Sequence, residues 1–98
     1  MLDYYRRGEY QEALTEAKKI NLPDDIYSHA ALALTQARLG HMVEAHEAVA
    51  RMLAVDPEFG KKVVDDLRRR NIHPDLIVMI VDGLKAAGLE VSEQPTNQ

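Results

Sequence analysis

Four histidines and the carboxylates near them are the residues in this chain whose types could support catalysis or metal binding. His41-Met42-Val43-Glu44-Ala45-His46 comes close to the zinc-hydrolase pattern H-x-x-E-H, in which two imidazoles one helical turn apart hold the metal and the glutamate activates water. The additional alanine turns His46 about 100° around the helix, away from the face that the first imidazole would share. His41 is therefore read as a turn residue and His46 as solvated. His29 has no Ser, Cys or carboxylate at a helical spacing that would complete a dyad, so it reads as a half-buried packing residue. His73 precedes a proline and reads as a helix cap. The chain has no cysteine, which removes thiol nucleophiles, disulfides and Cys-ligated zinc. The expectation is no catalytic residue, no metal and no cofactor.

Composition points the same way. Sixteen acids against twelve bases give a net charge of −4 with interspersed signs, so the chain lacks the basic field that nucleic-acid binding uses. The start lacks the apolar stretch of a signal peptide, and the longest apolar run, Leu76 to Val81, is far shorter than the ~20 residues of a membrane span. The chain reads as soluble and cytoplasmic, with no membrane span and no nucleic-acid partner. One Phe, four Tyr and no Trp among abundant aliphatics and alanine suit close helix packing better than a β-sandwich. A chain of 98 residues buries only ~60–65% of its unfolded surface, so each buried helix face counts.

The elements follow from punctuation. Gly8-Glu9-Tyr10-Gln11-Glu12-Ala13 and Gly40-His41-Met42-Val43-Glu44-Ala45 share the form Gly-x-(large apolar)-x-Glu-Ala and lie 32 residues apart. A period of that size marks stacked supersecondary units that cannot bury their apolar faces alone. Pro23-Asp24-Asp25, Asp56-Pro57-Glu58 and His73-Pro74-Asp75 each offer a cap and a first-turn proline or acid, while Gly40 and Gly88 end helices. Helices are predicted at 1–7, 9–20, 24–39, 42–54, 57–70 and 74–87, with connections short enough to force antiparallel neighbours. The run Leu-Ile-Val-Met-Ile-Val at 76–81 has strand propensity, but its Pro-Asp start and Gly88 stop enclose about 13 residues, a helical length. Beyond Leu89 the chain turns polar, and residues 90–98 are expected to form a disordered tail.

From Ile26 to Pro57 the chain resembles one complete tetratricopeptide repeat (TPR). Leu32 and Ala33 match the middle of its first helix, Gly40 the turn, Ala45 the close contact on the second helix and Pro57 the terminal proline. His29, Gln36 and Val49 replace the large or aromatic residues usual at three positions, so the repeat is degenerate. Tyr4, Gly8, Tyr10, Ala13 and Ala17 match the second half of a preceding repeat, leaving open whether Met1 is the natural start. The resemblance implies an all-α, right-handed α-solenoid of five to six helices over 1–89. It divides into a partial repeat (1–22), a complete one (23–56) and a degenerate capping helix pair (57–89). The segment Pro74-Asp75-Leu76 through Gly88-Leu89 is also similar to the end of bacterial TPR proteins that sit behind class III adenylate or guanylate cyclase domains. That likeness implies a regulatory or docking segment of a larger protein.

The family resemblance further implies binding of a protein or peptide partner in a concave groove. Here the groove face would carry Tyr27, Ala30, Leu34, Ala37 and Arg38, then Lys61, Val64 and Arg68 on the next helix, giving an apolar surface with a basic rim. The alternative for Lys61, Lys62, Arg68, Arg69 and Arg70 is an ordinary solvated face tempered by Asp65 and Asp66. Ala30 and Leu34 stand where TPRs that clamp chaperone C-termini resemble one another in having Lys and Asn, so that ligand is not expected. The last helix, apolar through 76–81, would leave a face made from Ile77, Val78 and Val81 open to water at the end of an array. That face would serve a homodimer or the parent protein, the alternative being a cap helix folded back over the array.

Overall fold

A computed structural model describes residues 1–20 and 22–92. Six helices follow in chain order: α1 (Leu2–Arg6), α2 (Tyr10–Lys19), α3 (Ile26–Arg38), α4 (Met42–Val55), α5 (Phe59–Arg69) and α6 (Pro74–Ala86), and the described residues contain no strand. The expected caps stand at the starts of α3 and α6 and at the turn that leads into α5. The Asp25 carboxylate accepts from the Tyr27 amide at 3.2 Å, that of Asp56 from Glu58 at 3.0 Å, and the His73 imidazole from Asp75 at 3.1 Å. Each satisfies an amide that the first helical turn leaves without a carbonyl. Asp56 caps a turn at 57–58 that precedes α5, so Pro57 stands two residues before the first helical position and not within it.

The sequence repeat is also a backbone repeat. Gly8 and Gly40 have φ of 79° and 80°, and in both turns the next amide, of Glu9 or His41, reaches the carbonyl five residues back at 2.9 Å. Gly88 closes α6 in the same manner, with Leu89 bonding to Leu84 at 3.0 Å. Positive φ lets the chain reverse while the last helical carbonyls stay bonded. The alanines that end each motif, Ala13 and Ala45, are fully buried, as is Ala33, because small side chains let helix backbones approach closely.

The central helix is α3, which packs against α2, α4 and α6. Being surrounded, it buries polar side chains too, and most find partners nearby. Thr35 donates to the Ala31 carbonyl at 2.7 Å, the Gln36 side-chain oxygen meets His41 Nδ1 at 2.7 Å, and His29 Nε2 bonds the Pro23 carbonyl at 2.7 Å. His29 and Gln36 thus tie α3 to the turns at its two ends. His29 is buried rather than half-buried.

The meeting of α6 with Tyr5 of α1 departs from an open array, in which each unit meets only its neighbours in sequence. The apolar run 76–81 is helical, and α6 lies back over α3 with Ile77, Ile80, Val81 and Leu84 in the core. Gly83 sits at the crossing, where a Cβ would overlap the Tyr5 hydroxyl and lie 3.0 Å from Leu34 Cβ. The chain fills an envelope of 34 × 29 × 21 Å. After Gly88 it runs back across α5: Leu89 is buried, a Cβ on Gly60 would strike the Glu90 carbonyl, and the Ser92 amide bonds the Gly60 carbonyl at 3.1 Å. Residues 90–92, expected in the tail, are therefore packed, while 93–98 lie outside the described residues. Among the described residues no helix is long and apolar enough to cross a membrane.

Candidate functional site

Tyr27, in the first turn of α3, meets Asp66 on α5 and Arg70 at its C-terminal end, one turn further on. The phenol donates to the Asp66 carboxylate, Arg70 Nε donates to the same oxygen at 3.1 Å, and the Arg70 guanidinium lies 4.5 Å over the Tyr27 ring. Phe59 abuts that ring edge-on at 5.6 Å. The cluster fixes three side chains from two helices that are distant in sequence. Burial, then the neighbouring carboxylate, pushes the Tyr27 hydroxyl well above its ordinary value. The hydrogen bond from Tyr27, followed by those from Arg70, holds Asp66 below the usual carboxylate range. A phenol kept protonated and a carboxylate kept ionised form a strut, not an acid–base couple.

Beside this strut opens a cleft of about 230 Å³. Ala30, Leu34, Leu67 and Ile80 form its floor, Met1, Leu2, Ala31 and Ile72 its sides, and Tyr27 and Arg70 its rim. Its lining is predominantly apolar, with Tyr27 and Arg70 among the lining residues. Such a surface can take an apolar side chain and offers one cation beside it.

The residues expected to share a groove do not come together as one surface. Tyr27 and Leu34 line this cleft, although Leu34 is 2% exposed and acts as floor. Val64 is 1% exposed and belongs to the core. Arg38 donates to the Tyr5 hydroxyl at 3.0 Å. Lys61 pairs with Glu58 at 2.9 Å beside the Leu89–Ser92 segment, and Arg68 lines a separate hollow with Asn71 and His73. The expected groove assumed that α5 lies alongside α3 as the next first helix of a repeat; α6 covers α3 instead. The apolar face expected on α6 is likewise corrected, since Ile77 and Val81 are buried and Val78 is half-buried. Asp66, Leu67, Arg70, Ile72 and Ile80 were not expected at a site. The four-residue step from Asp66 to Arg70 is readable as a helical ion pair, but nothing local joins it to Tyr27, 39 residues away from Asp66.

Of the histidines, His41 is held by Gln36, His73 caps α6, and His46 is exposed, with its ring beside Gly88. No group of three or more His, Asp or Glu side chains among the described residues is placed to hold a metal ion. Comparison with protein-family models, curated proteins and solved structures finds no match for this chain.

Proposed function

We propose that this chain is a TPR-like protein-interaction module that holds a partner through the Tyr27 cleft. The occupant is one large apolar side chain on a partner segment, with a carboxylate next to it for Arg70. The observation that carries this reading is the combination at one opening: an apolar floor between α3, α5 and α6, and an arginine held in place over Tyr27. A cation already fixed by a neighbouring ring and carboxylate loses little freedom on binding, which favours recognition. The repeated Gly-turn units supply the TPR-like part of the proposal. The likeness to segments behind bacterial cyclase domains adds that the module is a regulatory or docking segment of a larger bacterial protein such as a cyclase. No chemistry of its own is assigned to it.

Selection from a random peptide library tests the proposal. The selected peptides should share an apolar anchor with a flanking Asp or Glu. Ala31→Leu, which fills the side of the cleft at a half-buried position, should weaken them at least about tenfold, and Arg70→Ala should weaken only those carrying the acid. Peptides that bind Ala31→Leu as well as the parent chain would place the binding surface elsewhere.

A further inference from the structure

The described residues leave five large apolar side chains exposed, and three of them, Met42, Val43 and Val55, belong to α4. That helix turns Ala45, Ala48, Val49 and Met52 inward. Along its outer side run Val43, Glu47, Arg51 and Val55, all exposed and each four residues from the last, so they form one ridge that winds about 40° round the helix at each step. Val43 is 69% exposed and Val55 43%. Ala50 and Ala54, also exposed, keep the face low enough for another helix to approach closely.

The charges on this face are unused. Elsewhere acid–base neighbours on one helix pair up: Lys19 with Glu16 at 3.0 Å, Arg69 with Asp65 and Arg70 with Asp66 at 3.1 Å. Glu47 and Arg51 have the favoured spacing and order for such a pair, yet neither makes an ion pair or hydrogen bond among the described residues. Their order is also palindromic in charge. Reversed, the face reads Val, Arg, Glu, Val, so an antiparallel copy centred at the level of Val49 would set Val43 against Val55 and Glu47 against Arg51, twice over about a two-fold axis. Self-complementarity of this kind is what an isologous contact requires.

We propose that two copies of this chain associate through α4, packed antiparallel, with the paired valines as apolar contacts and two reciprocal Glu47–Arg51 ion pairs setting register. The exposed Ile20 lies in the neighbouring cleft between α2, α3 and α4, which Glu47 and Arg51 also line, and extends the contact. The Tyr27 cleft has no lining residue from α4, so pairing leaves it open. A 14-residue helix is only about 21 Å long, which puts the interface at the small end of the range, among the weak and concentration-dependent ones.

Sedimentation velocity from about 5 µM to about 1 mM should show a monomer passing to a dimer. Glu47→Arg and Arg51→Glu each place like charges across the axis and should weaken the dimer at least about tenfold, with helical circular dichroism unchanged because both positions are exposed. An equimolar mixture of the two single variants should associate again, since one copy then offers two cations and the other two acids. Carrying both changes in one chain should restore the homodimer. A parent chain that stays monomeric throughout the range overturns the proposal, even if α4 binds some other protein. So does a dimer that ignores the single substitutions, or a mixture of variants that fails to associate.

Discussion

Gly83 is the position where the arrangement of α6 can be tested most sharply. At an exposed helix interior, Gly→Ala gains about 1 kcal/mol from reduced backbone entropy. At Gly83 the new methyl would overlap the Tyr5 hydroxyl and approach Leu34 Cβ at 3.0 Å and Tyr5 Cζ at 3.3 Å. Tyr5 is 1% exposed, so its ring has nowhere to swing, and Leu34 Cβ is fixed to the α3 backbone. A methyl that overlaps an oxygen outright falls in the upper part of the overpacking range, about 2–3 kcal/mol, which leaves Gly83→Ala destabilising by about 1–2 kcal/mol. Tyr5→Phe removes the obstructing oxygen and one hydrogen bond from the largely exposed Arg38 side chain, for about 0.5–1.5 kcal/mol. In that background the methyl meets only contacts that shifts of a few tenths of an ångström relieve, and Gly83→Ala becomes neutral or stabilising by up to about 1 kcal/mol. Urea unfolding of the parent, both single variants and the double variant, followed by circular dichroism, yields the coupling from midpoint shifts at constant m. The expected coupling is about 1–3 kcal/mol in favour of the double variant. Additivity within about 0.5 kcal/mol would refute the crossing of α6 over Tyr5.

Three further outcomes follow from the packing. Tyr27→Phe removes the largest cause of the lowered Asp66 pKa and should cost about 1–2 kcal/mol at neutral pH, a hydrogen bond to a charged group at a partly exposed site. Because the folded Asp66 value lies below the unfolded one near ~3.9, its contribution is present above that value and fades as pH falls through the folded one. The gap between Tyr27→Phe and the parent should therefore narrow in acid urea titrations. The raised Tyr27 hydroxyl acts at the other end, with stability present below about pH 10 and lost above it, a loss that the phenylalanine variant should not share. Gly60→Ala drives a methyl into the Glu90 carbonyl and should release the Leu89–Ser92 segment, read as faster amide exchange at Ser92, with destabilisation of about 1–3 kcal/mol. Gly40→Ala meets open space but at φ of 80°, so thermal unfolding should report about 1 kcal/mol of backbone strain alone.

The helices were legible because their boundaries are written in local chemistry. Asp25, Asp56 and His73 mark starts, and Gly8, Gly40 and Gly88 mark reversals, each acting within five residues of its own position. Even the strand-like run at 76–81 resolved through its flanks. What sequence spacing did not carry was the destination of α6. An all-round apolar helix states that it must be buried but not against what, and Gly83, the residue that permits the crossing over Tyr5 and Leu34, looks like any glycine inside a helix. The site suffered most from this. Once α6 occupies the face of α3 where a groove was expected, Leu34, Val64, Ile77 and Val81 become core, and the accessible cleft moves to the edge formed with Leu67, Arg70 and Ile72. Tyr27 was singled out for its place on α3, yet its partners Asp66 and Arg70 are set by tertiary approach alone.

The return of α6 onto α3 also determines how the molecule comes apart. In a linear array, stability is close to a sum over units and their adjacent interfaces, so units at either end can fray or be trimmed while the rest persists. Here the last helix covers the middle one, and Tyr5 in α1 shares the same contact. Opening α6 strips cover from α3 and from the packing of α1 at once, tying both ends of the chain to one event. Such closure should make the domain unfold as one cooperative unit, with coincident transitions by different probes. The Tyr27 cleft, which draws walls from α1, α3, α5 and α6, therefore exists only while α6 lies over α3.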